Sequence, residues 1–97
     1  MLDFYLIKDS SPKSTHGINS ADFLGGINDS DFEDLQNNNI IEAHFDYYKD
    51  LRWTNSQVLQ KVNQLNSIPS LSNAGFKMLN ILNKAKESNN GVIAYCD

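Results

Sequence analysis

Val92-Ile93-Ala94-Tyr95 is a continuous apolar run close to the end of the chain. A short run of this kind that follows a turn signal, here Asn89-Asn90-Gly91, is typical of a buried β-strand. At the other end of the chain, Leu2-Asp3-Phe4-Tyr5-Leu6-Ile7 has the period of two that indicates a strand with one buried face. We expect the two terminal strands to be neighbours in one sheet.

Two amphipathic helices are predicted before the last strand. The first opens at Thr54-Asn55-Ser56-Gln57, which is a capping box, and stops at Asn66-Ser67-Ile68-Pro69. The second runs over about 72–88. Apolar residues recur with helical spacing in both segments, and they are Val58, Leu59, Val62 and Leu65 in the first and Phe76, Met78, Leu79, Ile81, Leu82 and Ala85 in the second.

The first half of the chain predicts smaller elements. The segment 23–27 contains Gly25-Gly26 and is expected to be a short strand that the two glycines break, although the pair also permits a tight turn or a close approach of the backbone. Ser30-Asp31-Phe32-Glu33 is a second capping box, and it predicts a helix over about 31–38 that ends at Asn37-Asn38-Asn39. Residues 8–20 are polar and predict a loop.

The middle of the chain is ambiguous. Ile40-Ile41 is expected to enter the core. We expect a short helical or irregular piece near 41–46 and a strand over 47–53. The whole pattern predicts one α+β domain, residues 1–97, in which a small sheet that includes the N- and C-terminal strands packs against two or three helices.

Charge is unevenly distributed along the chain. The net charge is −4, but residues 1–50 carry ten acidic residues and three lysines, whereas residues 51–97 carry an excess of positive charge. Within 29–50 there are seven acidic residues and one lysine. Such a surface attracts cationic partners and repels nucleic acid, unless it is only a solvated face without a ligand.

The segment Phe45-Asp46-Tyr47-Tyr48-Lys49-Asp50-Leu51-Arg52-Trp53 holds four of the ten aromatic residues, with the only Trp and the only Arg. Tyr, Trp and Arg dominate binding hot spots. Two interpretations are open. In the first, these aromatic residues belong to the core and Asp46 or Asp50 pairs with Arg52. In the second, Tyr47 or Tyr48 and Trp53 are exposed beside acidic residues, where they would recognise a protein rich in Lys and Arg.

The second interpretation defines a set of candidate partner-binding residues. The aromatic side chains would serve as hot spots and the carboxylates would steer a basic partner towards them. The set is Asp34, Glu42, Asp46, Tyr47, Tyr48, Asp50, Arg52 and Trp53.

Catalytic residue types are scarce. His44 with Asp46 or Cys96 is the combination that a small enzyme could use, and it is a minor alternative. His16 stands alone in the polar loop. The spacing of His, Cys and acidic residues fits neither a zinc site nor a calcium loop, so no metal or cofactor is expected. A homodimer that buries the aromatic residues is a further alternative.

The chain is expected to be cytoplasmic. Asp3 interrupts the N-terminus where a secretion signal would be apolar, and no apolar run approaches the roughly 20 residues that span a bilayer. One cysteine precludes an internal disulfide, which suits a reducing compartment. We therefore expect no membrane partner.

Three features carry a resemblance: Leu2–Ile7, the Phe32–Leu35 helix that leads into Ile40-Ile41, and the aromatic segment Phe45–Trp53. Over about residues 1–60 they resemble a group of small bacterial proteins that has no established activity. Asn39 and Leu51 stand where that group is expected to have Gly and Phe. In size and acidity such proteins are similar to immunity proteins of polymorphic toxin systems. That resemblance implies a toxin-neutralising protein that occludes a basic cognate toxin.

Overall fold

The computed structural model describes residues 1–10 and 22–96. Most of the loop predicted over 8–20 lies outside these residues, as do His16 and Asp97. The described chain forms seven elements. In order they are β1 (Leu2–Ile7), β2 (Phe23–Ile27), α1 (Asp29–Asn37), β3 (Leu51–Trp53), α2 (Asn55–Asn66), α3 (Asn73–Glu87) and β4 (Gly91–Cys96).

The terminal strands lie side by side in the middle of the sheet, as predicted. The strand order is β2-β1-β4-β3, and all three pairings are antiparallel. The pairing of β1 with β4 runs from Leu2 opposite Cys96 to Ile7 opposite Gly91. The predicted α+β fold is confirmed, because this sheet packs against three helices.

One face of the sheet forms the core with the helices. The register places Phe4 and Leu51 on either side of Ala94, and Trp53 beside Val92, so these side chains share a face. All five are at most 1% exposed. Alternation places Ile93 on the opposite face, where it is also fully buried, and this explains why the sequence of β4 is continuously apolar.

The prediction that Gly25-Gly26 breaks the second strand is wrong. β2 runs through both glycines and pairs with β1, with a register shift between Phe4 and Tyr5. Gly25 has φ +143°, a conformation that L side chains rarely adopt. A Cβ atom at Gly25 would also lie 3.1 Å from the Ile81 Cγ1 of α3. Glycine here bends the strand and lets a helix approach it.

The predicted capping box of α1 is displaced by two residues. Asn28, not Ser30, is the N-cap: its Oδ1 accepts from the Asp31 amide at 2.8 Å, and the Asp31 Oδ2 accepts from the Asn28 amide at 3.2 Å. The helix therefore begins at Asp29. Both sites have the residue types of a capping box, and the earlier one is used. The end of the helix is as predicted, with Asn39 in the left-handed conformation at φ 61°.

The two long helices match their predictions, including the Thr54–Gln57 capping box. Two apolar residues that were predicted to belong to their buried stripes do not. Leu59 is 39% exposed and Phe76 is 55% exposed. Leu59 lies beside the buried arc of α2, whereas Phe76 lies on the face of α3 opposite its buried residues.

The strand predicted over 47–53 is limited to Leu51–Trp53, and residues 42–50 are irregular. The backbone groups of this segment form hydrogen bonds with nearby side chains and turns rather than with a neighbouring strand. The Gln36 side-chain amide donates to the carbonyls of Glu42 at 3.0 Å and Phe45 at 2.9 Å. The Asp46 carboxylate accepts from the Tyr48 amide at 2.9 Å. These contacts fix the loop without giving it regular structure.

The displaced cap can be tested by substitution. Asn28→Ala is expected to lower the free energy of unfolding by about 1 kcal/mol, because the amide of Asp31 loses its acceptor. Ser30→Ala, two residues later, is the matched control and is expected to change it by less than about 0.5 kcal/mol. Urea denaturation followed by circular dichroism measures both. A larger loss for Ser30→Ala than for Asn28→Ala would contradict this assignment of the cap.

Candidate protein-binding surface

A buried lysine organises the segment that was predicted to bind a partner. Lys61 of α2 is 6% exposed, and within residues 1–10 and 22–96 no other charged side chain is buried. Its Nζ donates to the Ile40 carbonyl at 2.8 Å and to the Glu42 carboxylate at 2.6 Å. It also lies 4.6 Å from the centroid of the Trp53 ring. The ammonium thus has an anion, a carbonyl and an aromatic face, which together offset the cost of its burial.

Glu42 and Trp53 complete this buried cluster. The second Glu42 oxygen, Oε1, accepts from the Trp53 Nε1 at 3.0 Å. Partial burial works to raise the pKa of Glu42. The hydrogen bonds from Lys61, the backbone and Trp53, together with the charge of Lys61, outweigh burial and hold that pKa below 4.5. Trp53 has no exposed surface, so the prediction that it is an exposed hot spot is wrong. β3 turns the Trp53 side chain inwards together with that of Leu51.

Tyr48 is the exposed aromatic residue of the segment, with 74% of its surface accessible. Its ring packs edge-on against Tyr47, with centroids 5.0 Å apart, and Tyr47 packs in the same way against the buried Phe32 at 5.6 Å. The rings of Phe32, Tyr47 and Tyr48 thus form a row that extends from the core to solvent. Tyr47 is half-buried, and burial raises the pKa of its hydroxyl, an effect to which the nearby carboxylate of Asp29 adds. Its hydroxyl therefore stays protonated at neutral pH.

Exposed carboxylates surround the two tyrosines. Asp46 lies two residues before Tyr48 and accepts from its amide. Asp29 is close enough to Tyr47 to influence its ionisation, and Glu33 lies one turn further along the same side of α1. All three acidic residues are exposed, and no Lys or Arg in the described ranges pairs with them. We call Asp29, Glu33, Asp46, Tyr47 and Tyr48 the Tyr48 surface.

The structure separates the other predicted residues from this surface. Asp34 lies on the opposite flank of α1, where its Oδ2 accepts from the Ser72 hydroxyl at 2.7 Å. Arg52 is half-buried, and its guanidinium donates to the carbonyls of Lys8 and Asp9. Asp50 is exposed just before β3. The pairing predicted between Arg52 and Asp46 or Asp50 stays a prediction.

Sequence reasoning missed two features. Asp29 and Glu33 belong to the Tyr48 surface, and their spacing of four residues on a helix was the signal that could have joined them. The second feature is an aromatic group on the sheet face away from the helices. There the ring of Tyr5 lies 5.6 Å from that of Phe23 and 6.3 Å from that of Tyr95. The alternation of β1 was the signal, because it puts Tyr5 opposite the buried Phe4.

The residues proposed for catalysis do not form a described constellation. His44 is exposed and its ring packs on Phe45, with centroids 4.4 Å apart. Among the described contacts, no hydrogen bond joins it to Asp46 or Cys96.

Residues 1–10 and 22–96 contain no group of three His, Cys, Asp or Glu residues that could hold a metal ion. In the same residues, no helix has the length and apolar character needed to cross a membrane.

The ion pair of Glu42 predicts a pH dependence of stability. Because the pKa of Glu42 is lower in the folded state, its contribution is complete above the unfolded value near 4.5 and is lost as the pH falls through the folded value. Glu42→Gln is expected to lower the free energy of unfolding at pH 7 by roughly 1–2 kcal/mol and to flatten its decline as the pH falls below about 4.5. Urea denaturation at several pH values measures both effects.

The control for this experiment is Glu33→Gln, which removes an exposed carboxylate that pairs with no described cation. Its acid dependence should follow that of the original protein. If Glu42→Gln also kept the original decline with pH, the Glu42–Lys61 pair would not be a determinant of acid stability.

Comparison of the chain with protein-family models, with curated proteins and with solved structures gives no match. The function is therefore argued from the geometry of the Tyr48 surface and from the resemblance given above.

Proposed function

We propose that this protein is a protein-binding domain that docks a basic partner through the Tyr48 surface. The observation that carries the proposal is the exposure of Tyr48, 74%, on a ring stack whose inner members are fixed to the core. An exposed tyrosine on a rigid support offers contact area at a small cost in conformational entropy. Tyrosine is also a residue type that is enriched among binding hot spots.

The charge around Tyr48 supports a cationic partner. Asp29, Glu33 and Asp46 are exposed acidic residues without a described cation beside them. By contrast, Asp31 is neutralised by Lys77 at 2.8 Å and Glu42 by Lys61. The three carboxylates of the Tyr48 surface are thus available to a cation from a partner. A Lys or Arg side chain could contact the face of the Tyr48 ring and a carboxylate at once.

A bacterial toxin is the class of partner that the resemblance favours. In this proposal the domain is an immunity protein, and it neutralises the toxin by covering its basic active-site surface. Occlusion requires only a tight complex, so it needs no catalytic group, metal or cofactor on this chain. The cytoplasm is the compartment in which such an inhibitor would meet its toxin.

A homodimer of structural function is the second candidate. Its support is the partly exposed aromatic group Tyr5, Phe23 and Tyr95, of which Phe23 is 47% exposed. A symmetric contact through the Tyr48 surface is disfavoured, because it would bring Asp29, Glu33 and Asp46 of both copies together. A small enzyme that uses His44 with Asp46 or Cys96 is the third and weakest alternative. Sedimentation at several concentrations distinguishes the dimer from a monomeric binding domain.

Tyr48→Ala is expected to weaken capture of the basic partner by roughly 10- to 100-fold while leaving the fold intact, because the side chain is mostly solvated. The partner is first captured from lysate of the source cell and identified by mass spectrometry, and dissociation constants are then measured with the purified pair. Phe76→Ala removes an exposed aromatic residue on α3 and is the matched control, expected to bind normally. Equal affinities for the two variants would overturn the proposal.

The acidic residues are expected to act on the association rate. Glu33→Lys should slow association several-fold at low salt, and the difference should shrink as ionic strength rises, because long-range attraction is screened. Glu87→Lys, the same change at an exposed site on α3, is the control. Stopped-flow mixing with the identified partner measures the rates. Salt-independent association in the original protein would contradict steering. Glu42 is unsuited to this test, because reversing its charge would unpair the buried Lys61.

A further inference from the structure

A second site lies on the opposite flank of α1 from the Tyr48 surface. It is a half-open pocket of about 150 Å³ between the end of α1, the end of α2 and the start of α3. That volume matches a cavity known to hold a benzene-sized group, so it admits one side chain. Its lining is Asp34, Leu35, Asn38, Ile40, Leu65, Ile68, Ser70, Leu71, Ser72 and Gly75.

The pocket has an apolar floor and one charged group. Leu35, Ile40 and Leu65 close its inner end, each at most 1% exposed, and the half-buried Ile68 and Leu71 are the apolar side chains with accessible surface. Asp34 is half-buried and supplies the only ionisable side chain of the lining. Such a lining suits a group with an apolar stem and a cationic tip.

The Asp34 carboxylate retains acceptor capacity. Oδ2 accepts from the Ser72 hydroxyl at 2.7 Å, and Oδ1 accepts only a long hydrogen bond, 3.4 Å, from the Asn38 side chain. Two carboxylate oxygens can accept about four hydrogen bonds. None of the ion pairs found among the described residues involves Asp34. The Ser72 hydroxyl also accepts from the Gly75 amide at 3.1 Å, so both groups are fixed in place.

We infer that this pocket receives a lysine side chain of the protein partner, with the butyl stem over the apolar floor and the ammonium on Asp34. Lysine fits better than arginine. A bidentate arginine needs an acceptor position on each carboxylate oxygen, and the Ser72 hydroxyl and the Asn38 side chain already donate to Oδ2 and Oδ1. The inference rests on the proposal that the chain docks a basic protein. The pocket adds a second point of contact, so that the partner would bind on both flanks of α1.

The direct test uses the intact protein and small probes. Nα-acetyl-lysine methylamide and Nα-acetyl-norleucine methylamide share the four-carbon stem and differ in the ammonium. Methyl NMR titration locates the site through Leu35, Ile40 and Leu65. We expect the lysine probe to bind there at least about 10-fold more tightly than the norleucine probe, because a charge-assisted hydrogen bond is added. The arginine analogue should bind less tightly than lysine.

Asp34→Asn removes the charge with little change of shape and should abolish the preference for lysine. Asp31→Asn is the matched control: it lies on the same flank but pairs with Lys77 and does not line the pocket. If Asp34→Asn failed to fold, the salt dependence of the two probes in the original protein would decide, since only lysine binding should weaken with salt. Equal binding of both probes, shifts at other methyl groups or an equal effect of the two variants would overturn the inference.

The two proposals fail differently. Tyr48→Ala should leave lysine-probe binding unchanged, because Tyr48 lies across α1 from the pocket. If the pocket showed no preference for the lysine probe while partner capture still depended on Tyr48, the inference about the pocket would be contradicted and the proposed function would stand. If the probe bound as expected while Tyr48→Ala captured the partner normally, the proposed function of the Tyr48 surface would fall.

Discussion

The buried ammonium of Lys61 is the constraint on which the central part of the structure depends. A cation in the core is tolerated only where its hydrogen bonds are made within the protein. Ile40, Glu42 and Trp53 provide those contacts, and they come from two separate stretches of chain. The single side chain therefore ties α2 to the segment after α1 and to β3. An apolar residue at position 61 would pack there without specifying which carbonyl and which carboxylate come to it.

This constraint explains how an irregular loop can present a defined surface. Residues 42–50 have no ladder of backbone hydrogen bonds, yet Glu42 is held by Lys61 at one end and Leu51 by the sheet at the other. Gln36 holds two carbonyls between them. With both ends and the middle fixed, the turn at Asp46–Tyr48 points one tyrosine outwards. Irregular segments on a rigid scaffold are where binding residues are commonly found.

Local patterns predicted the elements better than the roles of the aromatic residues. The period of two in β1 and the Thr54–Gln57 box depend on neighbours in sequence, so sequence carries them. The same logic failed at α1, because the sequence holds two overlapping capping boxes and the helix uses the earlier one, at Asn28. Whether Trp53 or Tyr48 is exposed depends on Lys61, eight residues beyond the segment and on another element. Composition drew attention to this stretch, but it could not separate the core ring from the exposed ring.

The ion pair of Glu42 and the burial of Trp53 also bear on where a partner could bind. Once Glu42 is neutralised by Lys61 and Asp31 by Lys77, the acidity of residues 29–50 is no longer a diffuse property of the segment. Apart from Asp50, which lies just before β3, the remaining acidic residues divide between the three carboxylates around Tyr48 and the single carboxylate of Asp34 at an apolar pocket. The two sites face away from each other across α1, a helix about 10 Å wide. A flat basic patch could meet only one of them. A partner that engages both must present a concave basic surface that fits over α1, and an active-site cleft lined with lysines has that shape.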